Sequence, residues 1–84
     1  MAHILIVEDD KSINELIAKN LKLVGHTYIQ VFNGIEAVAA ASDNPVDLIL
    51  LDIMLPGVDG FEVIRKIPLM PVIFITAKDG LEHY

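Results

Sequence analysis

The stretch DLILLDIMLPGVDGFEV, residues 47–63, decides the fold because it joins the most apolar run of the chain to a charge and a turn. Leu48–Leu51 is a short run of large aliphatic residues, which is typical of a buried strand. Asp52 follows this run directly, and the proline and glycines of PGVDG predict that the chain then turns. A carboxylate at the end of such a strand needs a reason beyond ordinary packing.

Strand-like and helix-like segments alternate along the whole chain. Short apolar runs predict strands, and apolar residues at steps of three and four predict helices between them. The resulting β-α-β-α-β-α-β order predicts one parallel sheet with right-handed crossovers and helices on both faces. The strands are expected at residues 3–7, 27–32, 46–51 and 71–76, with helices following Ser12, Asn33 and Asp59.

Polar residues mark the predicted helix starts. Ser12 and Glu15 have the spacing of a capping box, and Asn33 with Glu36 repeats that signal at the second helix, expected over residues 34–42. Gly25 is expected to end the first helix in the usual C-terminal position. The apolar face of the first helix is expected to comprise Ile13, Leu16, Ile17, Leu21 and Val24.

Length and composition restrict the function classes. The 84 residues suffice for one small domain, expected over residues 1–84, and there are no cysteines for disulfides or thiolate metal sites. No apolar run approaches the ~18 residues that span a bilayer, and the N-terminus does not resemble a secretory signal. The net charge of −6 argues against direct binding to a phosphate backbone. We therefore expect a cytoplasmic chain without membrane contact.

Acidic residues follow two strands of the predicted sheet. Glu8, Asp9 and Asp10 come after the first strand, and Asp52 comes after the third. The carboxyl ends of parallel strands meet at one edge of an open sheet, which is where ligands bind. Carboxylates crowded at one edge repel each other, and a hard divalent cation relieves this repulsion. All-oxygen ligation favours Mg²⁺.

A carboxylate in such a site can also be a nucleophile. Attack on a phosphoryl group would give an aspartyl phosphate, and Mg²⁺ sites of this kind commonly hold a substrate phosphate. Thr76 ends the fourth predicted strand at the same edge and could donate its hydroxyl to a phosphoryl oxygen. Phosphoryl transfer then requires only positioning and neutralisation of charge.

Three segments in order resemble the receiver domain of two-component response regulators: ILIVEDD at 4–10, LILLDIMLPGVDGFEVI at 48–64 and PVIFITAKD at 71–79. The resemblance covers nearly the whole chain and is closest to transcription-factor regulators with a winged-helix output domain. It implies an α/β, flavodoxin-like, doubly wound parallel sheet of strand order 2-1-3-4. The family's fifth strand and last helices have no counterpart here.

The resemblance also implies roles for individual residues. Asp52 would be the phosphoacceptor, and Thr76 would contact the phosphoryl group and move when it arrives. Asp9 would bind Mg²⁺ directly, Glu8 would assist directly or through water, and the backbone carbonyl of Met54 would complete the protein ligands. Asp10 lies just past the family's acidic pair, so a role as a simple helix cap stays open.

The implied function is a phosphorylation-dependent signalling switch. The phosphoryl donor would be a phosphohistidine on a sensor histidine kinase or a small acyl phosphate. The domain would accept the phosphoryl group and take part in its own phosphorylation. It would not be an enzyme in the usual sense. It would control an output domain, expected to bind DNA, that is absent from this chain, and it would reach DNA only through that domain.

Two departures from the family pattern affect this interpretation. The third crossover is short, with only Gly60–Ile67 between the turn and Pro68, and the chain stops at Tyr84, before the family's lysine. Lys78 is not that lysine, because it lies in the loop two residues past Thr76. A fourth strand left at the edge of the sheet favours a homodimer or a swapped oligomer.

Three other functions compete with the switch. A phosphatase with an aspartyl nucleophile usually needs a second Asp two positions later, where this chain has Met54. A flavodoxin-like cofactor binder needs a loop that cradles phosphate after the first strand, where the acidic EDDKS would repel it. The serious rival is a receiver-fold interaction or dimerisation module that cannot be phosphorylated.

Overall fold

Four strands and three helices alternate along residues 1–55, 60–67 and 69–75, which are the residues that the computed structural model describes. The strands are parallel and lie in the order β2-β1-β3-β4. The predicted fold class and strand order are therefore confirmed. The elements are β1 (His3–Val7), α1 (Lys11–Leu23), β2 (Thr27–Val31), α2 (Gly34–Asp43), β3 (Leu48–Asp52), α3 (Gly60–Arg65) and β4 (Val72–Ile75).

Strand β1 lies in the middle of the sheet and is paired on both sides. Its five residues run in register with β2 from His3↔Thr27 to Val7↔Val31. On the other side its last four residues pair with β3. This arrangement aligns the carboxyl ends of β1 and β3.

The main core lies on one face of the sheet, under α2 and α3. Side chains alternate between the two faces of a strand, so Leu5 and Val7 enter this core while Ile4 and Ile6 are buried on the opposite face. Helix α1 packs against β1 and β2. The core comprises Leu5, Val7, Val31, Ala37, Ala41, Ile49, Leu51, Leu55 and Val63.

The start of α1 differs from the prediction. Asp10 is the N-cap, and its side chain accepts a hydrogen bond from the Ile13 N–H at 3.1 Å. Ser12 lies inside the helix, so the predicted capping box with Glu15 is wrong. Asp is as good an N-cap as Ser, and the sequence offers both within three residues.

The end of α1 is as predicted. Gly25 has a φ of 91°, which favours glycine over residues with a side chain. Its N–H donates to the Lys22 carbonyl at 3.1 Å, and the His26 N–H donates to the Leu21 carbonyl at 3.0 Å. These two bonds form a Schellman motif, which satisfies carbonyls that the helix end would otherwise leave without donors.

The buried face of α1 agrees only in part with the prediction. Asn14 and Ala18 are its buried residues, whereas Leu16 is 59% exposed and Val24 is 70% exposed. The small Ala18 allows the helix to approach the sheet closely. The apolar pattern therefore located the helix and part of its buried side but missed the two residues that are fully buried. Three residues of the predicted face are half-buried: Ile13, Ile17 and Leu21.

Asn33 is the N-cap of α2, as the Asn33 and Glu36 signal predicts. Its side chain accepts a hydrogen bond from the Glu36 N–H at 2.8 Å, and the Glu36 carboxylate accepts one from the Phe32 N–H at 3.0 Å.

We expect Asn33→Ala to lower the free energy of unfolding by about 1 kcal/mol, because an N–H at the helix start loses its acceptor. Urea denaturation followed by circular dichroism measures this, with Asn20→Ala as the control, since Asn20 bonds only within an exposed face of α1. Equal losses in both variants would contradict the capping role.

The strand boundaries shift slightly from those predicted. Strand β3 begins at Leu48 and includes Asp52, and β4 begins at Val72. Thr76, Asp59 and the residues after Thr76 lie outside the described residues. Among the helices of the described residues, none is long and apolar enough to cross a membrane.

Candidate functional site

Three carboxylates meet at the carboxyl ends of the two inner strands. Glu8 directly follows β1, and Asp52 is the last residue of β3. The register pairs Val7 with Leu51, which places the next residue of each strand side by side. One carboxylate oxygen from each of Glu8, Asp9 and Asp52 lies within 4.8 Å of the other two. The structure thus brings together the three side chains that the sequence predicted to converge.

Two of the three carboxylates are removed from solvent. Glu8 and Asp52 are each 0% exposed, and Asp9 is half-buried. Charges of one sign repel more strongly in a buried setting than in water, because the effective dielectric constant is lower. Such an arrangement favours a bound cation over a merely solvated acidic surface.

Backbone N–H groups orient the two buried carboxylates. The Met54 N–H donates to Oδ1 of Asp52 at 2.8 Å, and the Asp10 N–H donates to Oε2 of Glu8 at 2.8 Å. Both donors lie two residues beyond the carboxylate that they contact. The turn after each strand therefore fixes the direction of the side chain at the end of that strand.

Asp10 belongs to the helix start, whereas Met54 belongs to the turn at Asp52. The exposed Asp10 side chain caps α1 through Ile13, which agrees with the simple capping role left open above. Met54 has a 48% exposed side chain, and its backbone N–H contacts Asp52. The predicted phosphoryl contact, Thr76, lies outside the described residues.

Asn14 is a buried polar residue near the acidic site, and no sequence pattern predicted a role for it. It is 0% exposed, and its Nδ2 donates to the carbonyls of Glu8 at 3.0 Å and Val31 at 2.9 Å. Its Oδ1 accepts a hydrogen bond from Nε2 of Gln30 at 2.9 Å. Asn14 and Ala18 are four residues apart, a spacing that could have placed both on one helix face. A pattern based on apolar residues gives no signal at an asparagine.

The donor set fits Mg²⁺. The cluster provides carboxylate oxygens without histidine or cysteine, and among the described residues it is the one group of potential metal ligands of this kind. Hard oxygen ligands suit Mg²⁺, which is typically bound by one or two carboxylates together with waters and substrate phosphate. Asp9 is half-buried, so one of the three residues keeps contact with solvent.

Comparisons with known proteins agree with this architecture. Residues 4–84 match the family model described as the response regulator receiver domain. The chain is 40% identical over 83 residues to the uncharacterized transcriptional regulatory protein YkoG of Bacillus subtilis (strain 168). That match covers 94% of this chain and 36% of YkoG, so the chain spans about a third of its relative's length.

Two solved structures resemble the chain closely. One is the complex of histidine kinase ThkA with response regulator protein TrrA of Thermotoga maritima, with 37% identity and a TM-score of 0.81 over 92% of this chain and 70% of the other. The other is the receiver domain of a sensor histidine kinase from Pseudomonas aeruginosa PAO1, with 33% identity and a TM-score of 0.82 over 94% and 70%. The latter has a magnesium ion coordinated in its active site cleft.

Proposed function

Because this chain belongs to the response regulator receiver domain family, we propose that it is a phosphorylation-dependent switch with Asp52 as the phosphoacceptor. The observation that carries the proposal is the meeting of Glu8, Asp9 and Asp52 within 4.8 Å at the carboxyl ends of two adjacent strands. Asp52 is the residue that ends a central strand and has its carboxylate oriented by a backbone N–H. We assign all of residues 1–84 to this one domain.

The proposed reaction moves one phosphoryl group. A carboxylate oxygen of Asp52 attacks the phosphorus of a phosphohistidine on a sensor histidine kinase. A phosphorus–oxygen bond forms, the phosphorus–nitrogen bond breaks, and its electron pair stays on the imidazole. The Met54 N–H restrains the carboxylate during the attack. Thr76 is proposed to contact the transferred group and to change position when it arrives.

Mg²⁺ is the proposed cofactor. The side chains of Glu8, Asp9 and Asp52 and the backbone carbonyl of Met54 would hold it. When bound, it would offset the negative charge of the carboxylates and of the incoming phosphoryl group. The buried position of Glu8 and Asp52 supports this assignment, since a cation is the direct way to offset two adjacent buried carboxylates.

The proposed partners follow from the relatives. The similar protein TrrA was solved in a complex with histidine kinase ThkA. This complex supports a sensor histidine kinase as the phosphoryl donor. The name of YkoG, a transcriptional regulatory protein, supports a DNA-binding output domain elsewhere in the parent protein. We propose a cytoplasmic location, where such a kinase domain and DNA are both accessible. The receiver itself would take part in the transfer without being an enzyme that turns over other substrates.

We further propose that the chain forms homodimers through β4. This strand pairs with β3, and no other strand of the described residues lies on its far side. Ile73 and Phe74 on this strand are 51% and 37% exposed, and an apolar edge strand favours pairing with another chain.

Size-exclusion chromatography with light scattering should give twice the chain mass of 9.3 kDa. Ile73→Lys should restore the monomer, whereas a monodisperse monomer of the unaltered chain would exclude this proposal.

The proposed switch is tested by intact mass spectrometry after incubation with a small acyl phosphate. The chain should gain one phosphoryl group with Mg²⁺ present and should gain none when the metal is chelated. Absence of any gain with Mg²⁺ would refute the proposal and favour the non-phosphorylated interaction module.

A further inference from the structure

A network of amide side chains lies directly behind the acidic site. Asn14 is fully buried in the first turns of α1, and Gln30 on β2 contacts it. Two backbone carbonyls, those of Glu8 and Val31, accept hydrogen bonds from the Asn14 Nδ2. The network therefore joins the ends of β1 and β2 to α1.

The orientation of the Asn14 amide is fixed by its neighbours. Carbonyl oxygens only accept, so the NH₂ group of Asn14 must face Glu8 and Val31. Its Oδ1 then faces Gln30, which must in turn present its own NH₂ group. Gln30 thus holds Asn14 in the one orientation that satisfies both carbonyls.

The contact with Glu8 has a specific consequence for the site. The Glu8 carbonyl belongs to the peptide group that links Glu8 to Asp9, so its orientation sets how both side chains leave the backbone. The Glu8 N–H is held as well, by the Val31 carbonyl at 3.2 Å. That carbonyl also accepts from Asn14 at 2.9 Å. The peptide group before Glu8 is therefore bonded directly to β2, and the one after it is bonded to Asn14 of α1, which is itself bonded to β2.

We infer that Asn14, oriented by Gln30, is a positioning residue that sets the geometry of the Glu8 and Asp9 carboxylates for Mg²⁺. This inference rests on the proposed function, since it concerns the cation that the switch requires. Groups that orient the ligands of a metal typically change its affinity by 10–100-fold when they are removed. Asn14 acts through the backbone and does not itself contact the metal.

The test compares Mg²⁺ binding in three variants by isothermal titration calorimetry. Asn14→Ala should weaken Mg²⁺ binding about tenfold, because the Glu8–Asp9 peptide loses its donor. Gln30→Met keeps Asn14 but removes the donor that orients it, and should weaken binding several-fold. Ala18→Gly is the control, since Ala18 is buried in the same helix and lies outside the network. It should lower stability, measured by urea denaturation, while leaving Mg²⁺ affinity unchanged.

The outcomes separate this inference from the function on which it rests. Weaker Mg²⁺ binding in the Asn14 and Gln30 variants alone supports the positioning role. Unchanged binding, or an equal loss in Ala18→Gly, overturns it while leaving the proposed switch intact. If Asn14→Ala does not fold, Gln30→Met decides by the same criterion. If the unaltered chain does not bind Mg²⁺, the proposed function is itself refuted.

Discussion

Asp52→Asn is expected to abolish the gain of a phosphoryl group on incubation with Mg²⁺ and a small acyl phosphate. The amide keeps the shape of the carboxylate and can still accept the Met54 N–H, but it lacks the anionic oxygen that attacks phosphorus. The loss should be complete within the detection limit of intact mass spectrometry. No other described residue places a carboxylate at the end of β3.

The matched control for this substitution is Asp43→Asn. Asp43 is an exposed residue at the end of α2, so its carboxylate lies outside the acidic cluster. The Asp43→Asn variant should gain one phosphoryl group, as the unaltered chain does. Asp52→Asn should also keep its thermal stability, because it removes one of several like charges from a buried cluster. Phosphoryl gain by a folded Asp52→Asn variant would show that Asp52 is not the acceptor.

Leu5→Ala is expected to have the largest effect on stability. Leu5 is 0% exposed at the centre of β1 and belongs to the core that joins β1 to α2 and α3. Truncating a buried leucine removes apolar contacts and leaves a cavity, at a cost of about 3–4 kcal/mol. A domain of this size has a total stability of about 4–13 kcal/mol. The substitution should therefore remove a large fraction of the free energy of unfolding. Urea denaturation should show this as a lower midpoint concentration of urea.

Leu23→Ala makes the same chemical change at an exposed position. Leu23 lies in the last turn of α1 and is 75% exposed, so truncation should change stability by less than about 0.5 kcal/mol. The pair therefore separates burial from side-chain chemistry. Similar losses in the two variants would contradict the position of Leu5 in the core.

The strand pattern predicted the fold well because its signals are local. The apolar run of β1 is followed directly by acidic residues, and its predicted bounds, 3–7, are those observed. The short apolar strands also predicted burial on both faces. The predicted start of α1 was wrong because two residues of types that cap helices well, Asp10 and Ser12, lie two positions apart. Only the packing of the helix against the sheet decides between them.

The acidic site could be predicted for the same reason that the sheet could. Parallel strands bring their carboxyl ends together, so Glu8, Asp9 and Asp52 follow from the order of the strands. Asn14 could not be found in this way. Its importance arises from the gap between α1 and the carbonyls of β1 and β2, which no local pattern encodes. The helix face around Asn14 became clear only from the contacts of the folded chain.

The central position of β1 limits how the domain can respond to a new charge. Glu8 and Asp52 leave from two inner strands that are hydrogen-bonded to each other, and β1 is bonded to β2 as well. Sliding one of these strands past the other would break the ladder that joins them, which is an opening close in cost to global unfolding. The backbone positions from which the two side chains leave are therefore held at a fixed spacing. Relaxation after the proposed phosphorylation is therefore expected outside this pair of strands, while the sheet serves as the rigid reference for it.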